Sequence, residues 1–120
     1  MGNATQASIW RMVSQAGGLS GWFACEVLID VSEQVYTFVW SKTNDQAVVM
    51  HKKPQSSIRF RWIHEEDKEV FFEFKIHKQD LTGKMILEII DFAEPDEKND
   101  AIALWESQVE KMKKRLGVFI

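Results

Sequence analysis

The chain has a single cysteine, Cys25, in 120 residues. No internal disulfide can form, and a reducing, cytoplasmic setting is the simpler expectation. No apolar run approaches the ~18 residues that a membrane-spanning helix needs. The N-terminus shows neither the charged nor the apolar region of a secretory signal. A basic stripe is missing too. Fifteen Lys and Arg are outnumbered by eighteen Asp and Glu, for a net charge of -3, which argues against non-specific nucleic-acid or anionic-membrane partners. The basic residues look scattered, except Lys111, Lys113, Lys114 and Arg115. Those complement the dipole at the end of the last helix.

The usual signatures of chemistry are also lacking. His51, His64 and His77 fall in different segments without the i, i+4 or cysteine-rich spacing of a metal site. Gly17, Gly18 and Gly21 follow no strand and precede no Lys-Ser/Thr pair, so they form no phosphate loop. Nothing in the local sequence couples Cys25 to a histidine as an activated thiol. The acidic group Asp91, Glu94, Asp96 and Glu97 lacks the central glycine of a calcium loop and reads as helix capping. No catalytic residue, metal or cofactor is expected.

What is present is apolar surface in two periods. The 45% apolar content of a 120-residue chain is enough for one domain, residues 1–120, with a core that needs no disulfide staples. Ile9, Trp10, Met12 and Val13 have helical spacing between about Thr5 and Gln15, with Thr5 or Asn3 as N-cap and Gly17-Gly18 as terminator. A short helical turn, Leu19 to Phe23, is expected next, docked by Trp22 and Phe23. From Cys25 to Asp91 the period becomes two. Tyr36, Phe38 and Trp40 form one apolar row, Ile58, Phe60 and Trp62 another, Val70, Phe72, Phe74 and Ile76 a third, and Leu87 and Ile89 a fourth. Such alternation marks five or six antiparallel strands covered on one face. After Glu94-Pro95, the residues Ala101, Leu104, Trp105, Val109, Met112 and Leu116 make one helical stripe ending at Gly117. The expected fold class is α+β: two short N-terminal helices, a curved antiparallel sheet and a long C-terminal helix laid across it.

This order, together with particular words in it, resembles the START-like (SRPBCC, Bet v-like) helix-grip superfamily. The branch it looks most like is the short Bacteroidetes one related to the domain of the activator of heat-shock-protein ATPase. The resemblance rests on Gly18-Leu19-Ser20-Gly21-Trp22-Phe23-Ala24, Tyr36-Thr37-Phe38-Val39-Trp40 and Ile58-Arg59-Phe60-Arg61-Trp62. Phe71-Phe72-Glu73-Phe74, the run from Leu87 to Glu94, and Leu104-Trp105-Glu106-Ser107-Gln108 complete it, spanning about Ala7 to Val118. It implies a cavity between sheet and helix in which members of the superfamily hold hydrophobic molecules, and it brings no defined catalytic set. Similar proteins begin with a strand before the first helix, whereas only Met1-Gly2-Asn3-Ala4 precedes it here. Either the branch dispenses with that strand or the chain is a shortened or engineered version, and in both cases a sheet edge is expected to lie open.

Five tryptophans are the most unusual feature of the composition. They fit an aromatic-lined cavity, and equally a filled core in which each ring buries ~150–250 Å². The expected cavity walls are Trp10, Phe38, Trp40, Phe60, Trp62, Phe72 and Phe74 from helix and sheet, faced by Leu104, Trp105, Val109 and Met112. The expected function is non-enzymatic binding of a hydrophobic small molecule. The alternative is a protein–protein module, chaperone-associated or a scaffold, or a homodimer through the open sheet edge. An enzyme acting on a hydrophobic molecule would need a polar group facing the cavity, and the inward phase of the strands reads as apolar. Arg59 and Arg61 are expected to form cross-strand pairs with the Glu73/Lys75 strand on the solvated face.

Overall fold

Thr5 opens the first helix with a reciprocal cap. Its hydroxyl accepts the Ser8 N–H at 3.1 Å, and the Ser8 hydroxyl accepts the Thr5 N–H at 3.0 Å. A computed structural model describes residues 5–67 and 69–116. The expected absence of a first strand falls on Met1–Ala4, and the expected stop at Gly117 falls on that residue; both lie outside the described residues.

Helix α1 (Gln6–Ser14) buries Ile9, Trp10, Met12 and Val13, the set its spacing predicts. It ends where expected, at Gln15, whose backbone is extended, but the glycines are not what stops it. Gly17 and Gly18 instead lie within a second short helix, α2 (Ala16–Leu19). The reason is a close approach rather than a terminator. A Cβ on Gly18 would lie 1.9 Å from the carbonyl oxygen of Arg11, so only glycine lets α2 fold back on α1. The Trp22 indole N–H then donates to the Met12 carbonyl at 2.7 Å and fixes the chain that leaves α2.

Six strands follow: β1 (Glu26–Ile29), β2 (Val35–Val39), β3 (Asn44–Lys53), β4 (Ser57–Trp62), β5 (Phe72–Lys78) and β6 (Met85–Ile90). They form one antiparallel meander in chain order. Val70, expected in the third row, lies ahead of β5 in the connection from β4. Three turns use a left-handed residue, Glu33, Gln55 and Gly83. In the β1–β2 turn the Asp30 carboxylate accepts the Ser32 hydroxyl and the N–H groups of Gln34 and Val35. These bonds, led by Ser32, hold its pKa below the usual carboxylate value. In β3 the pairing slips between Val49 and His51, so Met50 is a bulge.

Register sorts the two faces. Opposed residues Ile58 and Phe74, and Phe60 and Phe72, point inward and are buried, while Arg59 and Glu73 point outward as a pair. On the inner face Phe60 stacks on Phe72 with centroids 5.0 Å apart, and Tyr36 meets Phe60 edge-on at 4.9 Å. The Tyr36 hydroxyl donates to the Ser14 carbonyl at 2.5 Å, tying the sheet to α1. Burial, with a smaller push from the Glu33 charge, raises its pKa to about 12.

After a 3₁₀ turn (Pro95–Glu97), helix α3 (Lys98–Leu116) crosses the concave face. Glu94 occupies the N-cap position but makes no side-chain cap bond, so the capping expected there is positional only. The helix carries Met112 into the core, leaves Trp105, Val109 and Leu116 half-buried, and leaves Leu104 60% exposed. Its predicted stripe is thus sealed only toward the C-terminal end. No helix among the described residues is long and apolar enough to cross a membrane.

Candidate functional site

The lopsided seating of α3 opens a groove. Its floor comes from the inner ends of β2 and β4, where Trp40 and Trp62 lie 6.3 Å apart. One wall is the connection from α2 to β1, residues 20–25, with Trp22, Phe23, Ala24 and Cys25. The other is the face of α3 that carries Ala101, Leu104, Trp105, Gln108 and Lys111. The space so enclosed is about 730 Å³ and opens to solvent, within the range of small-molecule sites.

Phe23 is the keystone. Its ring stacks on Trp105 at 5.6 Å with 12° between planes, and meets Phe38 edge-on at 5.0 Å. Its carbonyl accepts the Trp40 indole N–H at 3.0 Å and the Gln108 amide at 3.4 Å. One residue therefore aligns the floor and the helical wall. Across the groove the Asp91 carboxylate accepts the Trp105 indole N–H at 3.1 Å and the Phe92 N–H at 2.8 Å. Asp91, expected to serve helix capping, instead orients a wall of the groove. The indole N–H groups of Trp40 and Trp105 are thus satisfied internally, and one face of Trp105 is covered by Phe23.

The eleven expected wall residues divide among three places. Trp40, Trp62, Leu104 and Trp105 line the groove. Trp10, Phe38, Phe60, Phe72, Phe74 and Met112 are buried in the core, with Trp10 on α1. Val109 faces a second, smaller space of about 340 Å³ between α3 and β6, shared with Trp105, Leu87, Ile89 and Ile102. The residues not expected at the groove are Trp22, Phe23, Ala24 and Cys25, and the polar set Asp91, Ser107, Gln108 and Lys111. A signal for the helical part was present. Ala101, Leu104, Trp105, Gln108 and Lys111 recur at intervals of three and four, so they share one face. No comparable signal marks Phe23, whose neighbours are brought to it by the turn after α2.

The titratable residues elsewhere are dispersed. His77 contacts Glu88 at 2.8 Å and His64 contacts Asp45 at 3.5 Å, both on exposed side chains, while His51 lies in the outer part of β3. Among the described residues, no three of His, Cys, Asp and Glu cluster so as to hold a metal ion.

Comparison with known proteins agrees with this architecture. The sequence pattern of the START-like superfamily domain matches residues 3–118. A Bacteroides fragilis protein solved by solution NMR is 36% identical, with the match covering 98% of this chain and 84% of that one at a TM-score of 0.66. Aha1 from Colwellia psychrerythraea, solved in solution as a dimer, superposes at a TM-score of 0.75 over 96% of this chain and 90% of its own, at 11% identity. CalU16 from Micromonospora echinospora superposes at 0.66, at 15% identity, over 92% of this chain and 68% of its own. The last two share the fold alone. No curated protein shows significant sequence similarity. With a helix-grip architecture and a family match over nearly its whole length, the chain belongs to the START-like superfamily.

Proposed function

We propose that the chain is a non-enzymatic START-like binding module that holds a hydrophobic, planar small molecule in the groove under the first half of α3. START-like domains are in general binding or interaction modules. The observation that carries the finer reading is the groove itself: about 730 Å³ bounded by Trp40, Trp62 and Trp105. Indole rings, those of Trp40 and Trp105 held by internal hydrogen bonds, favour a flat apolar ligand, and burial of its surface supplies the driving force. The rim groups Gln108, Ser107 and Lys111 can then orient a polar end.

The direct test uses an anilinonaphthalene sulfonate dye as probe, followed by native mass spectrometry of the purified chain. The dye is expected to bind saturably with a blue-shifted emission. Ala101→Trp, which places an indole in the groove from a half-buried helix position, is expected to weaken binding at least tenfold without lowering the thermal midpoint. A copurified adduct lost on denaturation would identify a natural occupant. Dye binding that Ala101→Trp leaves untouched would remove the groove from consideration.

A second reading rests on the sheet edges. Among the described residues β1 and β6 each pair with one neighbour only, a geometry open to strand addition by another chain. Sedimentation velocity across a hundredfold concentration range separates the two readings. A dimer that forms with rising concentration supports the edge, and a constant monomer removes it.

A further inference from the structure

Basic residues that look scattered along the sequence are gathered by the sheet onto its outer face. By register Lys53, Arg59, Arg61 and Lys75 share the outward phase of β3 to β5 with one carboxylate, Glu73, and Glu88 follows on β6. The β4–β5 connection beyond Trp62 carries Glu65, Glu66, Asp67 and Glu69. Four cations against two carboxylates on these strands is a local excess of positive charge in a chain of net charge -3. Register places the outward members in adjoining rows. Lys53 is opposite Ser57, which is opposite Lys75; His51 is opposite Arg59, which is opposite Glu73; and Arg61 is opposite Val48.

The anions on this face are already engaged. Glu73 is 1% exposed, held by Arg59 at 3.2 Å and approached by Lys75 at 3.9 Å. Glu88 is held by His77 at 2.8 Å. Arg61 and Lys53 have no ion-pair partner among the described residues. Beside the cations lie partly exposed apolar groups. Arg59 sits 3.9 Å above the Phe71 ring, which packs on the 51%-exposed Phe92, and Met50 is exposed on the neighbouring β3.

We propose that this outer face is a docking surface for an acidic, extended segment of a protein partner, with carboxylates at alternate positions. It is separate from the groove and does not depend on it. Arg59 uses one of its N–H groups on Glu73 and keeps others for a second carboxylate. It and Arg61, unpaired among the described residues, are two residues apart on one strand, so they recur at ~7 Å. Carboxylates at i and i+2 of an extended segment have the same spacing, and guanidinium–carboxylate pairing is directional. The intervening side chains of such a segment point to its other face. A long nucleic-acid backbone fits less well, because beyond the patch it meets the remaining negative surface.

The test is fluorescence anisotropy with a fluorescein-labelled ten-residue peptide, glutamate at alternate positions and valine or threonine between. Saturable binding is expected, at least threefold weaker in 200 mM than in 50 mM salt, and absent for the same peptide with lysine in place of glutamate. Arg61→Glu combined with Lys53→Glu is expected to weaken binding at least tenfold with an unchanged thermal midpoint. Should that pair fail to fold, Lys53→Glu alone, at an exposed position, is expected to cost at least threefold. Failure to saturate, or variants that bind as the parent does, overturns the proposal. A ten-nucleotide single strand that binds more tightly than the peptide overturns it in favour of a nucleic-acid surface.

Discussion

Two sets of aromatic residues share the concave face of this sheet, often on the same strand and in the same phase, yet they have different fates. Phe38 and Phe60 are fully buried, while Trp40 and Trp62, the next inward residues on the same strands, are only partly covered. The difference lies above them. Over Phe38, Phe60, Phe72 and Phe74 the layer is closed by α1, Phe23 and the Met112 end of α3. Over Trp40 and Trp62 the helix presents Ala101 and Leu104 across open space. Burial is therefore set by the tilt of one helix against one sheet, and not by the alternation pattern, which continues without a break from one set to the other.

Breaking the closed set has the largest expected effect. Phe60→Ala is expected to cost ~3–5 kcal/mol in chemical denaturation, since it leaves a cavity among stacked rings. Trp62→Ala, on the same strand and phase, is expected to cost less, because its ring is already partly exposed. Equal losses at both positions would show that the groove closes in solution.

A middle-sized effect is expected where α1 meets the closed set. Tyr36→Phe removes the donor to the Ser14 carbonyl, and a buried acceptor left unpaired costs ~1–3 kcal/mol. The same variant sharpens the pH behaviour. The raised pKa of Tyr36 means that its contribution is fully present below its ordinary pKa of 10 and is lost as pH rises toward about 12. Stability of the parent is expected to fall across that window, and Tyr36→Phe is expected to flatten this part of the profile. A profile unchanged by the substitution would mean that other groups carry the alkaline loss.

The smallest effect belongs to the open set. Leu104→Ser alters a residue 60% exposed on the helical wall, so stability is expected to stay within ~0.5 kcal/mol. Affinity for the dye probe is expected to fall several-fold. A stability loss near that of Phe60→Ala would place Leu104 against the core after all.

Much of this architecture was legible from residue pattern. The alternation through Tyr36–Trp40, Ser57–Trp62 and Phe72–Ile76 reads directly as strands, because side chains on a pleated strand change face at every step. The α1 stripe was equally plain, and Thr5 was named as a cap. The end of α1 near Gln15 was legible, but the glycines after it resemble a terminator, whereas Gly18 answers to the Arg11 carbonyl two turns back. Asp91 resembled a capping residue because it precedes a helix, and only the helix's path brings the Trp105 indole to it. The Arg59–Glu73 pair was expected on a solvated face, but the depth at which Glu73 lies was not, since it depends on how the neighbouring Arg59 and Lys75 fold over it.

The sequence by itself determined the period of each element, the face each side chain takes and the superfamily, because these follow from local backbone geometry and an ordered set of short motifs. Only the tertiary structure decided which tryptophans line a groove, that Phe23 joins its walls, and that Lys53, Arg59, Arg61 and Lys75 share one face. Those outcomes depend on helix tilt and strand register, which sum weak contacts between segments far apart in the chain, and no local pattern encodes the sum.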